Sequence, residues 1–508
     1  MINRREFLGR CAAGGASLAA PMFLPGCASQ PEPVIDEVAP DNLFSSWFGV
    51  DHGSVSRIMS RLTRNGADFA DAFFQIANHN RIVFENGVIS QNASDSLQGA
   101  ALRVVDGEQT GFAATRDLAF PALLEAAGNA AGRNAGDIES PLPLAIADTR
   151  DLYPIAVPWS SVSLGNKTAV LEYLDQRVRA QETAVESVTI RWDDAEEHVM
   201  VATEDGRLLS DSRPMTRLTL IVTAAQGDAR QTGFAGVAAR HGMDFYSEDR
   251  LNALVSEALG RTMIQFEARL APTGDFPVIF SAGTGGVLLH EVIGHNLEAD
   301  FVRSGSSAYG DKLGQKIADS GVTLVEDTSL AREPGALNFD DEGSHTGRSV
   351  LVEQGVLRSF IHDRDTARHF GSAPTGSGRR GSFEHQPMPR LTSMFLESGQ
   401  YARDEIVAAV GNGVICETFS GGRAEIDTGT FVFNVKNGWL VEKGRITGPT
   451  KDFRIEGKAA ALLGNITMLG DDSRMDPAGW ICGKGGQNLP VSHGAPTTLV
   501  SSLSVSPA

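Results

Sequence analysis

The sequence predicts an α+β protein with two domains: an N-terminal α/β domain over 42–271 and a C-terminal, glycine-rich, largely β domain over 272–505. Three observations support this fold class. Helical and strand patterns of apolar residues alternate in the first half, and the composition changes at Pro272-Thr273-Gly274. The chain of 508 residues is also long enough for two or three domains. The C-terminal domain carries the HExxxH helix described below.

The elements of the first domain follow from periodicity and from turn signals. Apolar residues at helical spacing predict helices, whereas alternation predicts strands. Asn86-Gly87, Asp106-Gly107 and Asp205-Gly206 are typical of tight turns between paired strands. Helices are predicted over 44–65, 118–133, 166–187 and 249–268, a connector over 134–165, and strands over 70–76, 82–84, 188–192, 199–203 and 218–223, with Ala70, Ala72, Phe74 and Ile76 on one face of the first strand.

The second domain begins with a short apolar strand over 277–280, a glycine run over 283–286 and a helix over about 287–300. No Lys and Ser/Thr pair follows the glycine run, so it does not match a phosphate-binding loop. We expect the glycines to permit close packing at the start of the helix.

Residues 1–26 read as an export signal rather than as part of the fold. Arg4 and Arg5 precede a weakly apolar stretch that runs from Cys11 to Leu24. Paired arginines before such a stretch are typical of the twin-arginine export route, and the stretch is too short to span a bilayer. We therefore expect a periplasmic protein.

The end of the signal, LPGC over 24–27, resembles a lipoprotein processing site at which Cys27 is acylated. The alternative is ordinary cleavage nearby, with Cys27 uninvolved. The following residues, 27–41, are rich in proline and acidic side chains and read as a linker or tether. Lipidation would anchor the protein to the membrane.

The net charge and the number of cysteines limit the partners and the kinds of cross-link that this chain can have. The formal net charge is −19, and an acidic chain repels phosphate backbones, so we expect no nucleic-acid partner. The 4 cysteines are too few for a disulfide scaffold. Only Cys416 and Cys482 lie outside the export segment, and one disulfide between them is the default reading in an oxidising compartment.

The segment VLLHEVIGHNLEAD over 287–300 contains His290, Glu291 and His295 in an HExxxH arrangement, one residue longer than the common HExxH. Side chains five residues apart on a regular α-helix are separated by roughly 140°, so they would not face one metal ion. A π-bulge would bring them together, and Gly294 makes local distortion easier. The spacing therefore suits one metal only if the helix is irregular.

These residue types favour a catalytic zinc site. Imidazoles are good zinc ligands, and a catalytic zinc keeps an open position for water. Glu291 is placed to act as the general base towards that water. Glu298 could orient His295 from outside the ligand shell, or simply lie on a solvated helix face. The alternative for the histidine pair is ordinary packing in the core.

The C-terminal half resembles the metal-bearing, TldD-like branch of the TldD/PmbA family. The first domain is similar only around ADFADAFFQ and GAALRVVDG. The matching segments of the second domain run in family order: HEVIGHNLEAD (290–300), FDDEGSHTG (339–347), VLVEQGVLRSFIHDRDTARHFG (350–371), PTGSGRRGSFEHQPMPRLTSMF (374–395) and CGKGGQNLPVSHGAP (482–496).

The resemblance implies a zinc-dependent peptidase with Cys482 as the third ligand beside the two histidines. Twin-arginine export carries folded proteins, so zinc could protect Cys482 from oxidation; Cys416 is then a buried core residue. The resemblance also implies unfolded or small peptide substrates, bound extended beside a sheet edge. It further implies dimers, either of identical subunits or with a metal-free companion subunit of the same family.

Four more residues draw attention in the matching segments. Arg379, Arg380 and His385 are candidates for substrate contact or for stabilising an oxyanion, with structural ion pairs and loop anchoring as the alternative. His493 lies close in sequence to Cys482 and could reach the metal, but we expect it to be exposed to solvent.

Two other functions remain open from the sequence. A non-catalytic, metal-stabilised lipoprotein could bind peptides or act as a scaffold, although a structural site does not need the carboxylate of Glu291. Hydrolysis of amides other than peptide bonds is the second.

Overall fold

The computed structural model describes residues 40–132 and 140–508. The predicted export signal, Cys27 and the tether up to residue 39 lie outside the described residues. The described chain is mixed α/β, consists mostly of strands and is organised in several domains. Among its helices, none combines the length and the apolar character needed to cross a bilayer.

The first part of the molecule is a seven-stranded sheet. Its strands are β1 (Phe69–Glu85), β2 (Val88–Asp106), β3 (Gln109–Thr115), β4 (Ala145–Ile146), β5 (Val185–Thr203), β6 (Arg207–Gln226) and β7 (Ala229–Ala239). They are joined in the order β3-β2-β1-β5-β6-β4, and β7 pairs with β6. The long neighbours are antiparallel, which tight turns at Asn86-Gly87 and Gly206 permit.

Helices cover one face of this sheet. Phe74 and Leu102 pack in an apolar cluster with α2 and α3, whereas Trp192 and Leu220 pack with α4 and α5. The predicted inward set of the first strand lies in the first of these clusters and is confirmed. The helices are α1 (Pro40–Phe48), α2 (His52–Thr63), α3 (Phe120–Ala131), α4 (Leu164–Gln181) and α5 (Glu248–Met263).

The structure corrects several predicted boundaries. The helix predicted over 44–65 is two helices, because Gly49 adopts a φ of 68° and Asp51 caps α2 through the N–H of Ser54. The strands predicted over 188–192 and 199–203 are one strand, β5, whose polar middle pairs on both sides. Helix α4 ends at Gln181, six residues before the predicted boundary at 187.

Two further seven-stranded sheets form the rest of the molecule. One has the order β11-β10-β9-β14-β22-β20 with β21 on β22, the other β15-β8-β23-β18-β16-β17 with β19 on β23, and β12 and β13 form a separate pair. The strands are β8 (Gly274–Phe280), β9 (Leu324–Asp327), β10 (Arg348–Glu353), β11 (Val356–Leu357), β12 (Gly378–Arg379), β13 (Met388–Pro389), β14 (Ser393–Leu396), β15 (Asn412–Ala424), β16 (Thr430–Glu442), β17 (Arg445–Thr450), β18 (Phe453–Lys458), β19 (Ile466–Leu469), β20 (Arg474–Met475), β21 (Trp480–Lys484), β22 (Gln487–Ala495) and β23 (Thr498–Pro507).

Short helices connect these strands, and the histidine-bearing one lies in the core. Val292 and Ile293 are unexposed and belong to an apolar cluster with Met394 of one sheet and Val278 and Val500 of the other. The histidine segment is therefore held between two sheets. The helices are α6 (Gly286–Leu289), which continues to Leu297, α7 (Ala299–Arg303), α8 (Arg364–Phe370), α9 (Arg403–Ala409) and α10 (Ala459–Leu462).

Buried ion pairs join the other face of the first sheet to the second part of the chain. Arg103 on β2 contacts Asp71 at 2.6 Å and Glu342 at 2.5 Å, and Arg380 contacts Asp71 at 2.8 Å. All four side chains are buried. Burial raises the pKa of Asp71, but the guanidinium groups of Arg103 and Arg380 outweigh it and hold the pKa below its ordinary value. Asp71 is therefore ionised and paired with two buried cations.

Replacing Arg103 by Met should destabilise the fold, because it leaves a buried carboxylate of Glu342 short of a cation. We expect a loss of about 3–5 kcal/mol in the free energy of unfolding, measured by urea denaturation with circular dichroism. Arg81→Met is the matched control on the same sheet: its ion pair with Asp193 is exposed, so the loss should stay under about 1 kcal/mol. Equal losses in the two variants would contradict a structural role for the buried network.

Candidate metal centre

The histidine helix contains one turn of π-helix over His290–Gly294. The backbone N–H of His295 bonds to the carbonyl of His290, five residues earlier, instead of to the residue four earlier. As a result the two imidazole rings lie on the same side, with their centroids 5.1 Å apart. The structure thus has the irregular turn that two ligands at this spacing require.

Gly294 is needed for a different reason from the one expected. Its φ of −58° and ψ of −51° are those of an ordinary helix, so backbone freedom is not the reason for glycine. A Cβ at this position would lie 2.7 Å from Leu391 Cδ1 and 3.0 Å from the sulfur of Met394. Glycine therefore lets the π turn pack closely against the chain that enters β14.

Three potential metal ligands meet at this turn. One donor atom each from His290, His295 and Cys482 lie within 4.8 Å of one another, and all three residues are buried. Cys482 comes from β21, and its Sγ lies 3.3 Å from Nε2 of His295. The sequence predicted the two histidines from the motif and the cysteine from the resemblance alone.

The surroundings of His290 fit a metal ion. It is unexposed, and neither ring nitrogen has a hydrogen-bond partner among the described residues. A buried imidazole without partners is unfavourable. Burial also lowers the pKa of His290 well below its usual value, and the nearby His295 and His493 lower it further. The ring is therefore neutral, the form that binds a cation. Two imidazoles and a thiolate are a donor set that zinc prefers.

The alternative disulfide does not form. Cys416 and Cys482 are both free and buried. Cys416 lies in β15 within the apolar core, and burial raises the pKa of its thiol. Cys416 is thus an inert core residue.

A carboxylate fixes the orientation of His295. Nδ1 of His295 lies 2.8 Å from Oε2 of Glu298, which also accepts from Nζ of Lys484 at 3.0 Å. Burial raises the pKa of Glu298, but Lys484 and His295 outweigh it and bring the pKa to about 2. Glu298 is unexposed, so the solvated helix face considered from the sequence is wrong. With Nδ1 held by Glu298, Nε2 is directed towards Cys482.

Glu291 is the accessible member of the group. Its side chain is 25% exposed, against 9% for His295, and its Oε2 lies 3.6 Å from Nε2 of His295. Burial raises the pKa of Glu291, and the nearby imidazoles of His295 and His493 partly offset that rise. The carboxylate therefore stands beside the donor atoms on the side that solvent reaches.

His493 is buried, which corrects the expectation of solvent exposure. Its ring centroid lies 6.4 Å from that of His290 and 6.2 Å from that of Trp480. Nε2 comes within 3.3 Å of Asp476, an ion-pair distance without hydrogen-bond alignment. The alternation of residues in β22 could have indicated from the sequence that His493 is buried, since Leu489, Val491 and His493 share a buried face.

Two cations beside the site were missed from the sequence. Arg390 is unexposed and donates to the carbonyls of Cys482 at 2.7 Å and Gln487 at 3.2 Å. Lys484 bonds Asp300 at 2.7 Å in addition to Glu298. Arg390 fastens the β21–β22 hairpin to the chain that enters β14, and Lys484 fastens it to the end of the histidine segment. Contacts between residues so far apart in the chain leave no local sequence pattern.

The three residues proposed for substrate contact lie outside the group of three donors. Arg379 is buried and donates to the carbonyls of Leu391 at 2.7 Å and Pro490 at 2.8 Å. Arg380 belongs to the buried ion pairs of the first sheet. His385 is half-buried, and its Nδ1 lies 3.0 Å from the hydroxyl of Ser382. The contacts of Arg380 and His385 are those of structural anchors.

Comparison with known proteins identifies the relatives of this chain. Models of the PmbA/TldA metallopeptidase match it in three consecutive parts: domain 1 over 70–133, the central domain over 157–266 and the C-terminal domain over 273–507. A metalloprotease TldD homolog of Haemophilus influenzae is 33% identical, over 88% of this chain and 95% of its own length. A zinc metalloprotease TldD homolog of Saccharolobus solfataricus is 25% identical, over 87% and 97%.

Solved structures share the fold. A putative modulator of a DNA gyrase from Thermotoga maritima superposes with a TM-score of 0.71 at 21% identity, covering 89% of this chain and 99% of its own. TldE from Thermococcus kodakarensis gives a TM-score of 0.69 at 18% identity, with 88% and 100% covered. At these identities the likeness concerns the fold alone.

Substituting Gly294 by Ala should strain the π turn, because the added methyl group meets Leu391 and Met394. Overpacking of this kind costs roughly 1–3 kcal/mol, so the urea midpoint should fall and any bound metal should be released at a lower chelator concentration. Gly260→Ala is the control: Gly260 lies in α5, and a Cβ there meets nothing within 4 Å. The control should be neutral or stabilising. A Gly294→Ala protein that is as stable as wild type, with unchanged metal retention, would refute the packing argument.

Proposed function

The chain belongs to the PmbA/TldA metallopeptidase family, and from this premise we propose that it is a zinc-dependent peptidase that hydrolyses unfolded or small peptides. The observation that carries the proposal is the meeting of His290, His295 and Cys482 beside the partly exposed carboxylate of Glu291.

The three donors would hold the metal. The fit rests on the unpartnered nitrogens of His290 and on the closeness of the Cys482 thiol to His295. A zinc ion bound there supplies Lewis acidity, polarising a carbonyl oxygen and lowering the pKa of water towards about 7. Glu298 and Lys484 keep His295 in the required orientation, as outer-shell partners do at zinc sites.

Glu291 takes the proton from the attacking water and returns it to the nitrogen of the departing amine. The carboxylate is suited to this because it adjoins the first ligand in sequence and lies 3.6 Å from Nε2 of the second. A proton acceptor must come within hydrogen-bond reach of the water. A purely structural metal site would not need this carboxylate, which distinguishes the peptidase from a peptide-binding scaffold.

The substrate binds in an extended conformation beside β21. Among the described residues, β21 pairs with β22 alone, and Cys482 lies in its middle. An extended peptide can add to such an edge through main-chain hydrogen bonds, which require little sequence preference. A folded protein cannot present its backbone in this way, so the substrates are unfolded or small.

We also propose where the protein is located in the cell and how its subunits assemble. The paired arginines at positions 4 and 5 support export by the twin-arginine route, with Cys27 as a candidate lipid anchor. We further propose a dimer, either of identical subunits or with a metal-free companion subunit, as the resemblance in sequence implies. The metal-bearing branch is the appropriate one, because both histidines and the cysteine are present.

Glu291→Gln should retain zinc and lose hydrolysis, since the amide cannot accept the proton. We expect the rate of hydrolysis of an unfolded protein such as casein to fall by roughly 10²–10⁴-fold. Glu442→Gln, an exposed change at the end of β16, is the control and should keep full activity. Turnover by Glu291→Gln at the wild-type rate, with zinc bound, would exclude Glu291 as the general base.

Measuring the zinc content of two variants should distinguish the role of Cys482 from that of Cys416. Cys482→Ala should lose most of the zinc found in the purified wild-type protein, whereas Cys416→Ala should keep it. Glu298→Gln should weaken zinc affinity by about 10–100-fold, measured by competition with a chelator. Full zinc occupancy in Cys482→Ala would mean that the thiol is not a ligand.

A further inference from the structure

A cavity of about 570 Å³ lies between the first sheet and the β21–β22 hairpin. Gln75 and Glu197 line it from the sheet, and Ile481 and Pro490 line it from the hairpin. Successive side chains of a strand point to opposite faces. Ile481 therefore faces the cavity while its neighbour Cys482 faces the histidines, and the cavity and the proposed metal centre lie on two sides of one hairpin.

Three arginines line this cavity without an acidic partner. Arg217 of β6, Arg240 after β7 and Arg379 of β12 form no ion pair with any described residue. Arg379 donates only to backbone carbonyls. The Nε atoms of Arg217 and Arg240 are buried and have no hydrogen-bond partner within 40–132 and 140–508. Arg240 is 4% and Arg379 2% exposed, so water provides little compensation.

Three acidic groups of the cavity wall are engaged with other partners. Asp194 pairs with Lys167 at 2.5 Å, and Asp341 pairs with Arg213 at 2.6 Å. Glu197 accepts from the amide of Gln75 at 2.5 Å. Burial accordingly lowers the pKa of all three unpaired arginines, that of Arg379 to about 9. The cavity thus presents three guanidinium groups that no described carboxylate approaches within ion-pair distance.

We propose that this cavity binds a carboxylate of the peptide substrate, either its C-terminal carboxylate or an acidic side chain. Buried cations are unfavourable unless paired, and the guanidinium fork matches a carboxylate. The wall carboxylates of Glu197 and Asp341 disfavour the higher charge of a phosphate. Leu337, Ile481 and Leu489 provide apolar surface for the attached chain. This inference rests on the proposed peptidase function.

Arg379 links the carboxylate site to the metal centre. It bonds the carbonyls of Pro490 in the hairpin and of Leu391, whose N–H donates to Glu298 at 3.2 Å. Its charge also acts on His290. The peptidase should therefore prefer peptides that carry a carboxylate close to the cleaved bond.

The test measures peptide binding to zinc-loaded Glu291→Gln protein, which should bind without cleaving. Four dye-labelled short alanine peptides are compared: free C-terminus, C-terminal amide, and amides with one internal Glu or Gln. The C-terminal and side-chain sources are thereby distinguished. At least one carboxylate peptide should bind about tenfold more tightly or better than its neutral counterpart, the range expected of a hydrogen bond to a charged group.

When Arg217→Gln or Arg240→Gln is combined with Glu291→Gln, the ratio of the two peptide affinities should fall towards one. Circular dichroism and zinc content should confirm that the variants are folded. Arg230→Gln is the control, because Arg230 lies on the same sheet outside the cavity lining and is exposed and paired with Glu186; the preference should persist. Equal binding of charged and neutral peptides, an undiminished preference in both arginine variants, or equally strong competition by inorganic phosphate would overturn the proposal.

Hydrolysis by protein that retains Glu291 separates this proposal from the peptidase assignment. If the amidated peptides are cleaved without any carboxylate preference, the proposed carboxylate binding in the cavity is refuted and the peptidase assignment stands. If carboxylate peptides bind more tightly but neither peptides nor casein are cleaved, carboxylate binding in the cavity is supported and the peptidase assignment is refuted.

Discussion

The site depends on one backbone hydrogen bond, from the N–H of His295 to the carbonyl of His290. A helix in this register turns the imidazoles of His290 and His295 to the same side, which a regular α-helix at the same spacing would not do. The π register is rare in isolation, so the surrounding fold must hold it. Val292 and Ile293 anchor it between two sheets, and Gly294 allows β14 to approach within contact distance.

The β21–β22 hairpin is the second element on which the site depends. Arg390 holds its two strands through the carbonyls of Cys482 and Gln487, and Lys484 ties it to Glu298. Because side chains alternate along β21, Cys482 faces the histidines and Ile481 faces the arginine-lined cavity. A shift of this hairpin would displace the thiol and the cavity wall together, so the two surfaces share one mechanical support.

The sequence predicted the parts of the site that are local and missed those that are distant. His290, Glu291 and His295 form a motif, and their spacing alone indicated an irregular helix. Cys482 required the family resemblance, since a lone cysteine has no local signature. Strand β5 was split in the prediction because Asp193, Asp194 and Glu197 resemble a polar loop. In the structure these residues line an internal cavity, so their polarity reflects a surface that only the folded chain creates.

The distance along the chain between the ligands has a consequence for the order of events during biogenesis. Cys482 lies 187 residues after His295, and its strand is positioned by β22, which itself pairs with β14. During synthesis the histidines emerge long before the thiol, and the three donors converge only when both sheets around them are assembled. A metal ion held by all three donors would therefore bind only to a chain that has already completed most of its tertiary structure.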